Sequence, residues 1–156
     1  MKKTIILGIG NPILRDDGVG IHVADELKKQ IDDPNVKIDS AFTGGMNLLD
    51  MIIGHDRAIL IDAVKIRDKK SGEVNMFKLG ELSAFHTANP HDLSPPQAIE
   101  MAKRLGETRI PDEIKLVGIN LGELPCDFGE NLSPEIKNAV PKAVELVKEE
   151  VKKNYE

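Results

Sequence analysis

Two stretches, Ile5-Ile6-Leu7-Gly8-Ile9-Gly10 and Ala58-Ile59-Leu60-Ile61-Asp62-Ala63-Val64, are continuously apolar instead of alternating with polar residues. A strand of that kind has no face for water and must be covered on both sides, which is the condition of a central strand in a parallel sheet. Ile114-Lys115-Leu116-Val117-Gly118-Ile119 reads as a further strand, and Val36, Ile38 and Ala41, set among Lys37 and Asp39, as another. Between the strands lie helical periods: Val19, Val23, Ala24 and Leu27 up to Gln30; Met46, Leu48, Leu49, Ile52 and Ile53; and Ala98, Met101, Ala102 and Leu105, opened by Ser94-Pro95-Pro96. A final helix begins at Ser133-Pro134-Glu135 and carries Ile136, Val140, Val144, Val147 and Val151, with a kink expected at Pro141. Strands alternating with helices predict an α/β fold, a three-layer α/β/α sandwich around a mostly parallel twisted sheet. One strand departs from that rule: the stretch from Gly72 to Leu79 follows a turn-like Lys69-Lys70-Ser71-Gly72, too short a connection for a crossover helix, and reads as an antiparallel or edge strand. At 156 residues the expectation is one domain, 1–156.

In a sheet wound this way the functional crevice opens beyond the carboxyl ends of the strands. Asp16 and Asp17 follow the first strand, Thr43-Gly44-Gly45 the second, Asp62 ends the third, and His86 and His91 lie in the long aperiodic stretch from Gly80 to Leu93. Carboxylates and imidazoles converging on one edge make an oxygen and nitrogen donor set suited to a divalent transition metal. Each residue also has a plainer role. Asp16 or Asp17 serves equally as the N-cap of the first helix, Thr43-Gly44-Gly45 as a tight turn, and Gly8 and Gly10 as packing between strand and helix. His22 and His55 read as surface residues. Asp62 is the hardest to explain structurally, because an ionisable group closing so apolar a run is costly without a partner.

The formal net charge of −5 excludes a general basic face for nucleic acid. The single Cys126 excludes an internal disulfide and points to a reducing cytoplasm. The apolar run ending at Gly8 is too brief for a signal peptide, and no run approaches the ~18 apolar residues of a membrane span. Gly8-x-Gly10 has Ile13 where the dinucleotide fingerprint needs its third glycine, and P-loop, serine-hydrolase and zincin motifs are absent. Asp39-Ser40-Ala41 lacks the glycine of a pepsin-like motif.

From Gly8 to Gly20, Gly-Ile-Gly-Asn-Pro-Ile-Leu-Arg-Asp-Asp-Gly-Val-Gly resembles the N-terminal signature of the endopeptidases that mature [NiFe] hydrogenases. Thr43-Gly44-Gly45-Met46-Asn47-Leu48-Leu49, Ile61-Asp62-Ala63-Val64, Pro90-His91-Asp92-Leu93 and Leu132-Ser133-Pro134-Glu135 extend the likeness along nearly the whole chain. The resemblance implies a cytoplasmic protease that removes a C-terminal extension from the hydrogenase large-subunit precursor once nickel is in place. It implies Asp17, Asp62 and His91 as metal ligands and catalytic residues, Thr43, Gly44 and Gly45 beside the substrate, nickel supplied by the precursor's own metal centre, and no organic cofactor. Asp17 stands where many members have Glu. Ser40 stands where some carry an acidic residue before the glycine-rich loop, with Asp39 one position earlier.

The metal's role in polarising a carbonyl or activating water, and an aspartic-type pair sharing a proton, are both compatible with two carboxylates. A receiver-like phospho-acceptor domain also has an acidic pair after its first strand and an Asp after its third. Here Asn11 to Arg15 intervene before the pair, and Ile119-Asn120-Leu121 lacks the Lys such a domain needs. A non-catalytic metal- or nucleotide-binding module is a third reading. The expected partner is the precursor alone, met by a monomer, with neither nucleic acid nor membrane.

Overall fold

A computed structural model describes residues 2–42, 46–66, 68–78, 86–87, 95–123 and 128–153. In chain order the elements are β1 (Thr4–Ile9), a 3-10 turn (Arg15–Gly18), α1 (Val19–Gln30), β2 (Val36–Ala41), α2 (Met46–Ile52), β3 (Arg57–Lys65), β4 (Val74–Lys78), β5 (His86–Thr87), α3 (Pro95–Arg104), β6 (Glu113–Asn120) and α4 (Pro134–Lys152). The strands lie in the order β2-β1-β3-β6-β4, with β5 paired to β3. β2, β1, β3 and β6 are parallel, and β4 runs antiparallel on the outer side of β6.

Both continuously apolar runs are central strands, as their composition demands. β3 divides its side chains between two cores. Ile59, Ile61 and Ala63 pack with Val19, Val23 and Leu27 of α1 and with Ile136, Ala139, Val144 and Val147 of α4. Ala58, Leu60 and Val64 pack on the other face with Leu48 and Ile52 of α2 and Ala98 and Ile99 of α3. The three-layer sandwich follows: no single layer of helices could dry a strand that is apolar on both sides. α4 continues through Pro141 to Lys152. No helix among the described residues is long and apolar enough to cross a membrane.

The segment after β3 forms the expected antiparallel edge strand, but its partner is β6, while the two-residue β5 takes the place beside the end of β3. Asn120, fully buried at the end of β6, accounts for this course. Its side-chain oxygen accepts the Ile66 N–H at 2.8 Å, and its amide donates to the Lys69 and Lys70 carbonyls at 2.8 and 3.0 Å. Its backbone N–H donates to Glu73 O at 2.9 Å and its carbonyl accepts from Gly72 at 2.7 Å. The turn between β3 and β4 is thereby folded over the end of β6. Asn120→Ala removes the side-chain partner of three part-buried backbone groups and should cost about 2–4 kcal/mol. Urea unfolding checks this, and an unchanged midpoint would show that water replaces the amide without loss.

At the opposite, amino edge of the sheet sits a buried ion network. Arg57, which opens β3, donates from Nη2 to the Glu150 carbonyl at 2.9 Å and places Nε 3.1 Å from Glu113 Oε2. The Glu150 carboxylate bonds Lys115 of β6 and meets Lys153 at 3.1 Å. Arg57 and Glu150 are both almost wholly buried, so α4 is anchored to β3 and β6 by paired charge.

Candidate active site

The chain leaves β1 through α1 to reach β2 on one side, then crosses through α2 to β3 on the other side of β1. The junction of β1 and β3 is therefore where the winding reverses, and the carboxyl ends of those two strands border the crevice such reversals create. Asp17, in the 3-10 turn that follows β1, packs at this junction, since that turn lies against β3. Asp62 stands in β3 immediately beyond the last residue paired with β1, the Gly8 to Ile61 register. Alternation with Leu60 and Val64 turns its side chain to the α2/α3 face. Both carboxylates are 5 % exposed. Asp17 Oδ2 accepts the Asn11 N–H at 2.9 Å, which ties the carboxylate to the backbone leaving β1.

Close backbone approach explains why the signature is rich in glycine. A Cβ on Gly20 would lie 2.3 Å from Ile61 O and 2.5 Å from Ile9 O, and one on Gly8 would lie 2.3 Å from Gly20 O. The start of α1 is seated directly on the backbones of β1 and β3, beside Asp62. A Cβ on Gly10 would lie 2.2 Å from Asp17 O. The packing role weighed for Gly8 and Gly10 is thus the one the structure supports, and it sets the position of Asp17.

Asp16 departs from expectation. It neither caps α1, whose N-cap is Gly18 with no side-chain bond, nor offers its carboxylate to the crevice. Asp16 is 1 % exposed, and both its oxygens are taken by Ser133: Oδ1 accepts the Ser133 N–H at 2.7 Å and Oδ2 accepts the Ser133 hydroxyl at 2.6 Å. Ser133 precedes α4 but spends its hydroxyl on Asp16 instead of capping that helix. The same two segments are joined at Arg15 N–H to Gly129 O, 2.8 Å, Gly129 N–H to Ile13 O, 2.8 Å, and Arg15 Nε to Asn131 O, 3.2 Å. Arg15 has φ 43°, a left-handed conformation that costs a residue with a Cβ about 1–2 kcal/mol. These tethers hold it there and so fix the turn that presents Asp17.

His91, the third expected ligand, and Thr43, Gly44 and Gly45 lie outside the described residues, as does Cys126. The backbone of His86 is paired with Lys65 at the end of β3, so β5 returns the chain to the carboxyl edge shortly before His91. Among the described residues no three His, Cys, Asp or Glu side chains are grouped to hold a metal. His22 lines a groove of about 810 Å³ between α1 and α4, bordered also by Val140 and Pro141. That groove is across the sheet from the face Asp62 occupies. His55 sits in the turn before β3, with Nδ1 3.3 Å from Ile52 O. Asp39 accepts the N–H of its neighbour Ser40 at 2.8 Å.

Two residues that serve the site were not legible as such. Asn11 acts through its main chain, which carries no sequence signal, although its side chain accepting the Ile13 N–H at 3.1 Å is the local turn habit of Asn. Ser133 looks in sequence like an ordinary helix start; only the fold shows that Asp16 lies opposite it.

A family model described as hydrogenase maturation protease matches residues 21–150, a stretch that contains Asp62 and His91 and begins after Asp17. The hydrogenase 2 maturation protease of Escherichia coli is 27% identical over 148 residues, spanning 93% of this chain and 88% of its own. The solved structure of the [NiFe] hydrogenase maturation protease HybD from Thermococcus kodakarensis is 29% identical, with a TM-score of 0.72 over 94% of this chain and 97% of that one. The hydrogenase maturating endopeptidase HybD of E. coli superposes with a TM-score of 0.81 over 97% of this chain and 93% of its own; at 23% identity that likeness speaks to the fold.

Proposed function

The chain belongs to the hydrogenase maturation protease family and is a peptidase, and from that premise we propose that it removes the C-terminal extension of a [NiFe] hydrogenase large-subunit precursor that already carries nickel. The observation that carries this reading is the pair of buried carboxylates, Asp17 and Asp62, at the reversal between β1 and β3. In a family that acts on hydrogenases, such a pair suits a divalent metal arriving with the substrate.

In this reading Asp17, Asp62 and His91 receive the precursor's nickel, and the segment Thr43-Gly44-Gly45, between β2 and α2, lies along the substrate. Docking the metal brings the scissile peptide to the crevice, so that specificity rests on the presence of nickel more than on a side-chain pocket. The peptide carbonyl is polarised beside the metal. A carboxylate takes a proton from the attacking water as its oxygen bonds to the carbonyl carbon, and returns it to the departing amine when the C–N bond breaks. The protein acts as a monomer in the cytoplasm and meets its precursor transiently.

Co-expression with the large-subunit precursor encoded in the same genome tests the proposal. In nickel-supplied cells the precursor should lose mass at its C-terminus; without nickel it should stay at full length. Equal cleavage of a nickel-free precursor would overturn the nickel requirement and favour an aspartic pair sharing a proton.

A further inference from the structure

Aromatic residues are scarce in this chain, which has four Phe, one Tyr and no Trp. Phe77 packs into the α2/α3 core, whereas Phe42 and Phe128 are 64 % and 84 % exposed. Both stand at the carboxyl edge of the sheet. Phe42 follows the end of β2, next to Ala41, whose carbonyl accepts the Gly10 N–H at 3.0 Å. Phe128 precedes Gly129, which is bonded through both its N–H and its carbonyl to the loop after β1. Ile13, 51 % exposed, is in that same loop. Three large apolar side chains are therefore carried on, or next to residues hydrogen-bonded to, the backbone segment that bears Asn11 and Asp17.

We infer that Ile13, Phe42 and Phe128 form an apolar rim that grips the substrate polypeptide as it crosses the carboxyl edge into the crevice, and so determine affinity for the precursor without taking part in the bond cleavage. This rests on the function proposed above, because a peptidase whose carboxylates lie at this edge must receive a polypeptide across it. Apolar side chains held in water on hydrogen-bonded supports bring little to the fold, since their contact area is realised only against a partner, where aromatic anchors contribute most. All three are placed at the carboxyl edge of the sheet, where Asp17 and Asp62 also lie. Leu105, 75 % exposed after α3 and ahead of β6, lies towards the amino edge and provides a contrast of equal apolarity in the wrong place.

The test compares steady-state cleavage of the nickel-loaded precursor by the wild type, by Phe42→Ser/Phe128→Ser and by Leu105→Ser. The double variant should raise KM about ten-fold or more at unchanged kcat and unchanged melting temperature. Leu105→Ser should match the wild type. Phe42→Leu/Phe128→Leu, which restores apolar area, should recover most of the loss, a result that a purely structural role would not produce. If the wild type cuts and the double variant keeps the wild-type KM, the rim is not a docking surface and the proposed function stands. If the wild type leaves the precursor whole, the proposed function fails and the rim inference with it.

Discussion

Asp62→Asn is expected to abolish processing of the nickel-loaded precursor, by about 10²–10⁴-fold, while far-UV circular dichroism and the melting temperature stay near wild type. The substitution keeps size and one acceptor oxygen but removes the charge that would face the substrate's cation. Asp17→Asn should behave alike, because an amide oxygen still accepts the Asn11 N–H that Asp17 Oδ2 now holds at 2.9 Å. The neighbouring position supplies the contrast. Asp16 gives both oxygens to Ser133 and none to the crevice, so Asp16→Asn should cleave at close to the wild-type rate, with a lowered melting temperature as its main effect. Two adjacent aspartates would then separate cleanly, one lost in activity and one in stability. Normal cleavage by both Asp17→Asn and Asp62→Asn would remove these residues from the site.

The largest effect on stability is expected at Glu150. Burial by itself would raise its pKa, but the hydrogen bonds from Lys115 and Lys153 and the charges on those lysines outweigh it and hold the carboxyl below its ordinary value. Glu150→Ala leaves Arg57 and Lys115 with only the part-exposed Glu113 as counter-charge and should cost about 3–5 kcal/mol, the usual penalty for breaking a buried pair from one side. The pH dependence has a definite sign. Because the folded-state value lies below the unfolded one, near 4.5, the contribution is complete above pH 4.5 and fades as acid titrates the folded carboxyl. Urea midpoints of wild type and Glu150→Gln, measured from neutral pH down to about pH 3, should therefore converge on the acid side. A gap that stays constant across that range would show that Glu150 acts by shape alone.

Much of the fold was legible because it follows from periodicity. The continuous runs at residues 5–9 and 58–64 demanded two-sided cover, and the helical spacing from Val19 to Gln30 corresponds to α1 residue for residue. The edge position and antiparallel sense of β4 followed from a short connection. Its choice of β6 did not, since that depends on the Asn120 amide meeting carbonyls some fifty residues earlier, a long-range contact without a local pattern. The same limit applies to the amino edge, where Arg57 and Glu150 meet across 93 positions of sequence only once β3 and α4 are packed together.

At the site, Asp62 could be singled out because burying a charge in an apolar strand demands a reason. Local pattern alone did not tell Asp16 from Asp17; only the family resemblance pointed to Asp17. They are adjacent, chemically identical and both buried; the Ser133 contact gives the physical reason that Asp16 is the structural one. The spacing of Gly8, Gly10, Gly18 and Gly20 carried the signal for close packing, but not that the packing surface for α1 is the backbone of the strand bearing Asp62.

The bond between Asp16 and Ser133 also bears on the order of synthesis. Asp16 is made early, yet its partner is added 117 positions later, and β6 must be inserted between β3 and β4 before the sheet is whole. The turn after β1 is held locally by the Asp17 N–H to Leu14 O and Asn11 N–H to Asp17 bonds, and its link to the segment before α4 is added from the far end of the chain. The hydrogen bonds that complete this turn therefore join residues from the two ends of the chain, and they close only once the start of the last helix has been made.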